Sequence, residues 1–255
     1  MAVPTWPRPL HQPGGAAADL VFQVFSRGPL PPDLPLDRDR HGLPVTEPPE
    51  GIYLNVLSRE DAPGWFDRFG QQPRRGQAAT ALGEGLEDLL VADHCYEVAG
   101  EEPDPASMAY LQHAWGVVVC LCELGGGPVY DRHAQRWWSK AEVEALAPDR
   151  GFDVRREITA HSFDQGKILG TILYTRGLAK LGQPDIVMIN CGPDDLDALY
   201  GLADAVAQGL PVGPDFELED AGTGPSGTLH FVAYAPDEIM PDLKLENDAL
   251  VVVRR

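Results

Sequence analysis

Positive charge is what this 255-residue chain has least of: Lys and Arg number 20 against 39 Asp and Glu, for a formal charge of −19 and a pI near 4.6. Nucleic-acid affinity comes largely from cationic contacts that release counterions. So acidic a surface argues against nonspecific binding to phosphate backbones and, by the same repulsion, to anionic membranes. A basic protein or a cationic ligand is the better electrostatic match. Cysteine is scarce as well. Cys95, Cys120, Cys122 and Cys191 do not make a disulfide framework in a chain of this length. Long apolar runs are missing: the longest helical candidate, near Met108 to Leu124, contains Gln112, His113 and Glu123 and falls short of a membrane span. No charged start followed by an apolar stretch opens the chain, so a cytoplasmic protein is expected. No repeat period and no sustained heptads are visible. Arg outnumbers Lys, and Ala, Gly and Pro are abundant, a composition compatible with a GC-rich bacterial genome.

What is present is a set of short β-type runs. The stretch from Gly170 to Gly192 holds two, around Ile172-Leu173-Tyr174 and Ile186-Val187-Met188-Ile189, bounded by Gly and Pro as buried strands are. Between them Arg176 to Gly182 reads as a structured crossover. Further strands are expected at 19–26, 52–57, 94–98, 128–131, 152–160, 216–218, 228–234 and 249–253. A short helix follows Ser58 and carries Trp65, Phe66 and Phe69. A second is capped at Asp104, with Pro105 at its first position and Gly125 as its stop. That helix is apolar around most of its circumference, which marks it as buried and as the packing partner of the sheet that holds residues 170–192. Ser139, with Glu142 three residues on, forms a capping box, and a last helix runs from Pro193 to Gln208. Mostly strands with three or four inserted helices implies an α+β fold: a largely antiparallel mixed sheet with the helices packed mainly on one face. Residues 1–16, proline-rich and aperiodic, are expected to be a loosely held tail, and 17–255 a single domain. The polar connector 71–85 is a candidate internal boundary. Residues 28–50 are rich in proline and form either a covering loop or a mobile one.

Few constellations carry chemistry. Gly222-Thr223-Gly224-Pro225-Ser226-Gly227 matches the dinucleotide fingerprint literally, yet a strand pattern follows it where a helix is needed, so it reads as a hairpin loop. Cys191 sits between a strand and a helix start, where a helix dipole can favour a thiolate. Asp194 and Asp195 oppose that, and an ordinary turn cysteine is the alternative. Cys120 and Cys122 point to different sides of one helix and belong to the core. Asp131, His133 and His161, with Asp164, form a loose grouping of nitrogen and oxygen donors that a divalent ion would accept, against the plainer reading of hydrogen-bonding surface histidines. Arg176 and Lys180 could line an anion crevice or pair with nearby carboxylates. No cofactor is implied.

The segment Leu173 to Ile189 resembles the T-x-G-L-x-K-F-G-x-P-[DE] motif of a group of uncharacterised bacterial domains of unknown function. The matching residues are Thr175, Gly177, Leu178, Lys180, Gly182, Pro184 and Asp185, with Leu181 in place of the motif's phenylalanine. A buried helix and a Val129-Tyr130-Asp131 strand precede the motif, and the likeness spans about residues 106–207. The resemblance implies an α+β protein and, for some relatives, an immunity or accessory role in bacterial toxin systems. It assigns no catalytic residue. Two functions are expected on these grounds. The first is a non-catalytic cytoplasmic protein that binds another, basic, protein. The second is a hydrolase or transferase that uses Cys191 or a metal near Asp131, His133 and His161.

Overall fold

The computed structural model describes residues 5–43, 49–146, 151–164, 170–192, 195–211, 217–219, 228–233 and 249–254. The fold class is α+β, with two mostly antiparallel sheets. By compactness the chain falls into two units. The first gathers residues 1–6, 19–102 and 107–151, and the second gathers 7–18, 103–106 and 152–255. The whole of 71–85 lies inside the first unit, so the division does not fall at that connector.

In the first unit a five-stranded sheet has the order β2-β3-β1-β4-β5. Its strands are β1 (Ala18–Ser26), β2 (Ile52–Ser58), β3 (His94–Glu102), β4 (Val129–Asp131) and β5 (Arg136–Trp138). β1 is the central strand and is buried along nearly its whole length. Successive side chains of a strand point to opposite faces, and both faces of β1 are covered. Phe22 meets Trp115 of helix α5 (Ala109–Glu123) at 4.5 Å between ring centroids. Phe25, of opposite parity, packs among Trp65 and Phe66 of α2 (Pro63–Asp67), Phe69, and Trp137 of β5. Helices therefore flank both faces of this sheet. The expected stacking of α5 on the sheet containing 170–192 is corrected: α5 belongs to the first unit and packs on Phe22 and on Trp138, 5.2 Å away. The polar connector 71–85 contributes two helical segments instead, α3 (Arg74–Leu82) and the turn Gly83–Gly85 before α4 (Leu86–Leu90). Ala78 and Leu82 enter the core there.

α5 starts later than the capping pattern implies. Asp104 takes a left-handed backbone conformation (φ 39°) and its carboxylate accepts from the Gly14 N–H at 2.7 Å. The helix opens after Met108. Gly116 in its interior is required by close approach: a Cβ there would lie 2.1 Å from the carbonyl oxygen of His41 in α1 (Arg38–His41). The stop at Gly125 is present, with φ 114°, and the capping box opens α6 (Lys140–Glu144).

The second unit holds a six-stranded sheet of order β6-β7-β8-β11-β10-β9. β6 (Thr159–Asp164), β7 (Thr171–Arg176) and β8 (Asp185–Cys191) run antiparallel in sequence. β8 is parallel to β11 (Ala249–Arg254), which continues antiparallel to β10 (Thr228–Ala233) and then β9 (Glu217–Glu219). α8 (Asp195–Ala207) packs on the sheet, burying Leu199, Leu202, Ala203 and Val206. Residues 152–160, expected as one strand, instead form a helical turn, α7 (Val154–Glu157), before β6 begins. Asp153 caps that turn by accepting from the Arg155 N–H at 3.0 Å. The expected loose tail is also corrected for its described part. The Leu10 N–H donates to the Gln208 carbonyl at 3.0 Å, and the buried Arg8 donates to the carbonyls of Ala207 and Pro105 at 3.1 and 2.7 Å.

The turn joining β7 to β8 is a buried polar assembly. Thr175 Oγ1 donates to Asp185 Oδ1 at 3.0 Å and accepts from the Ile186 N–H at 2.9 Å, and the Leu178 N–H donates to the same carboxylate. Lys180 and Glu157, both with no solvent exposure, pair at 3.2 Å, and Arg156 Nε adds a second contact to Glu157 at 2.9 Å. Lys180→Met would take the buried ammonium away from the buried Glu157 carboxylate and should destabilise the second unit by about 3–5 kcal/mol. All five tryptophans lie in the first unit, so indole fluorescence would miss this loss. Amide hydrogen exchange at Thr171–Arg176 reports it, and Lys180→Met with Glu157→Leu should recover most of the deficit.

Candidate protein-docking edge

β2 ends the first sheet. It pairs with β3 in an unbroken antiparallel register from Ile52 opposite Gly100 to Ser58 opposite His94. Among the described residues it has no strand on its other side. Across from it, Tyr96 and Val98 of β3 are buried, whereas their partners Val56 and Leu54 are 53% and 37% exposed. On the opposite face Tyr53 is 63% exposed, and Leu57 reaches back to the cluster around Phe25, Phe66 and Cys95. Over Tyr53 to Val56 the cover on both faces of the sheet thus stops at β3. Its sequence, Ile-Tyr-Leu-Asn-Val-Leu-Ser, reads as strand from β-branched and aromatic content alone. With apolar residues at both parities it looks like an interior strand. Nothing in that pattern separates a buried strand from an exposed one, so the surface is invisible in the sequence.

The ribbon is rimmed by acid. Glu50, Glu101 and Glu102 stand at one end, and Glu60, Asp61 and Asp93 at the other. Glu97, opposite Asn55, accepts from Gln23 Nε2 at 3.0 Å. Across residues 50–61 and 93–102 the sequence has one Lys or Arg, Arg59, and its guanidinium is already engaged. It donates to the carbonyls of Ala92 and Leu90 and lies 3.1 Å from Asp67 and 3.6 Å from Asp93. The edge therefore combines exposed apolar side chains with a rim in which acids outnumber the single cation, Arg59.

The residues singled out from sequence lie elsewhere. Lys180 is fully buried in its ion pair with Glu157, the pairing alternative rather than an anion crevice. Arg176 lies 5.7 Å over the Tyr174 ring. Asp131 is buried and accepts from the Ala134 N–H at 3.0 Å, and Asp19 Oδ2 lies 3.3 Å from His133 Nε2. Both belong to the first unit, while His161 and Asp164 sit on β6 of the second. The His161 ring stacks on Tyr174, its Nε2 lies 2.9 Å from Thr159 Oγ1, and burial followed by the Arg176 guanidinium holds its pKa below the ordinary value. No group of three metal-ligating side chains gathers among the described residues. Residues 222–227 lie outside the described residues, and β10 follows them directly. No helix among the described residues is long and apolar enough to cross a membrane.

Cys191 closes β8, half-buried, with its thiol 3.3 Å from the Met188 carbonyl. The other thiols are buried. Desolvation, the first cause in each case, raises Cys95 well above the usual thiol range, Cys120 to about 11 and Cys122 to about 12. Since the thiolate is the reactive form, native protein treated with iodoacetamide at pH 8 should be alkylated at Cys191 alone. The other three should react only after unfolding, and peptide mass mapping distinguishes the two outcomes.

Comparison with known proteins finds no match to this chain among family models, curated proteins or solved structures.

Proposed function

We propose that this chain is a non-catalytic protein that binds a basic protein partner, with β2 as the docking surface. The observation that carries the reading is the exposed Tyr53, Leu54 and Val56 on an outermost strand ringed by carboxylates. Exposed apolar patches with polar rims mark interaction sites. Charge of one sign around such a patch raises the encounter rate of an oppositely charged partner and discourages others. The overall charge of −19 acts in the same direction over longer range. The resemblance of residues 106–207 to bacterial domains adds a setting, a cytoplasmic immunity or accessory protein whose target is basic. The alternative, a hydrolase or transferase built on Cys191 or on Asp131, His133 and His161, has no specific geometric observation in its favour.

A photo-reactive p-benzoylphenylalanine at position 56 tests the reading, with the same residue at position 75, exposed on α3, as a control. The position-56 protein should form an adduct in host extract with a protein of pI above about 9. Leu54→Lys with Val56→Lys should remove that adduct, and yield should fall as salt is raised. Adducts of equal yield from both positions, or none from position 56, would refute it.

A further inference from the structure

We infer that the partner docks by strand addition: an extended cationic segment pairs with the open backbone edge of β2. This inference rests on the docking reading above and specifies its geometry. Seven consecutive residues, Ile52 to Ser58, hold a continuous register with β3. An edge strand turns alternate N–H and C=O groups away from its neighbour, which makes it a template for another strand. Proteins usually blunt such a template with Lys or Pro in the strand, a bulge, or a very short edge. The stretch Ile-Tyr-Leu-Asn-Val-Leu-Ser has neither Lys nor Pro, and its register with β3 has no bulge. By contrast β5, at the far side of the same sheet, is three residues long and carries Arg136.

The side chains suit an added strand. Val98 and Tyr96 of β3 are buried, and Leu54 and Val56 extend that apolar row outward on the same face. Tyr53 offers a surface on the other face. A partner strand with apolar residues on alternate positions would continue the row, because cross-strand neighbours interact directly. The ends of the ribbon select its charge. At about 3.3 Å per residue, the span from Ile52 to Ser58 is roughly 20 Å. Glu50, Glu101 and Glu102 lie at one end of that span and Glu60, Asp61 and Asp93 at the other. A segment with Lys or Arg at both termini of a β-branched centre therefore places cations against both acidic groups. A second copy of this chain does not fit, since pairing β2 with β2 in either direction sets acidic end against acidic end, and like charges so placed are destabilising.

The probe is the peptide Lys-Lys-Val-Thr-Val-Thr-Val-Lys-Lys, with a counterpart in which each Lys is Glu, and two versions N-methylated at alternate central residues in opposite phase. The Lys peptide should bind the intact chain and slow amide exchange within residues 52–58, and the Glu peptide should not bind. One phase of N-methylation removes the donors that face β2 and should weaken binding by about tenfold or more, while the other phase weakens it far less. Leu54→Lys with Val56→Lys should abolish binding with the circular dichroism spectrum unchanged, since both side chains are exposed. Equal binding of both N-methylated phases and the parent peptide, or unchanged exchange at 52–58, would overturn strand addition. If the peptides fail while position 56 still crosslinks a basic protein, strand addition falls and docking at β2 stands. If position 56 also captures nothing, both readings fall.

Discussion

A polar group taken out of water must find its partner inside the fold or its burial is too costly to survive. That constraint organises the second unit. The ammonium of Lys180 is fully buried and sits 3.2 Å from the equally buried Glu157. Asp185 lies ten positions after Thr175, and its carboxylate brings the two together, taking donors from Thr175 and from the Leu178 backbone. The polar residues of this turn are thus held in place by one another. Thr175 and Asp185 close the turn and Lys180 neutralises Glu157. Gly177 and Gly182 supply positive φ, at 116° and 63°. Gly182 also lets the backbone of Ala16 approach where a Cβ would stand 2.6 Å from its carbonyl oxygen. The early segment is held by the same logic. Arg8 is buried because the carbonyls of Ala207 and Pro105 accept from it.

How far the sequence reveals this depends on whether a feature is local. Strands β1, β2, β3, β7 and β8 are legible because β-branched and aromatic runs between Gly and Pro have few other ways to be satisfied. The capping box at Ser139 is legible because both of its bonds close within four residues. The start of α5 is not, since Asp104 accepts from Gly14, ninety residues earlier, and no pattern around Asp104 announces that competitor. Residues 154–157 turn into a helix because Asp153 caps them and Glu157 is drawn to Lys180, a long-range contact that overrides an alternating strand pattern. The helix α3 is hidden by its own polarity: Arg74-Arg75-Gly76-Gln77 carries little periodicity, and only Ala78 and Leu82 reach the core. Edge status is the least local property of all. Whether Leu54 faces solvent is decided by how many strands the sheet accumulates and by where the helices stop, neither of which is written in residues 52–58.

Strands of like composition therefore meet different fates within the first sheet. β1 is buried on both faces and hydrogen-bonded on both sides, so its apolar residues are core. β2 has a similar composition, but its open edge and exposed faces give the same residue types a different consequence. At the ends of β2 the Ile52 N–H donates to the Pro49 carbonyl and the Ser58 carbonyl accepts from the Ala62 N–H; between them a complementary strand would bond the outward backbone groups while covering Leu54 and Val56. The apolar contacts then add favourable free energy that the free protein lacks.

Such an edge is also a hazard, because any chain with a compatible strand can add to it. Protection by a Lys within the strand would repel the cationic partner proposed above, and protection by a Pro would remove a donor from the ladder. Carboxylates placed beyond the two ends of the strand avoid both problems. They leave the hydrogen-bonding row intact and set every copy of this chain against every other copy. They also lower the free energy of an approaching segment only if it is basic. The shortage of Lys and Arg acquires a physical role on this reading. It lets one sheet edge stay open to a chosen partner while remaining closed to the protein's own kind.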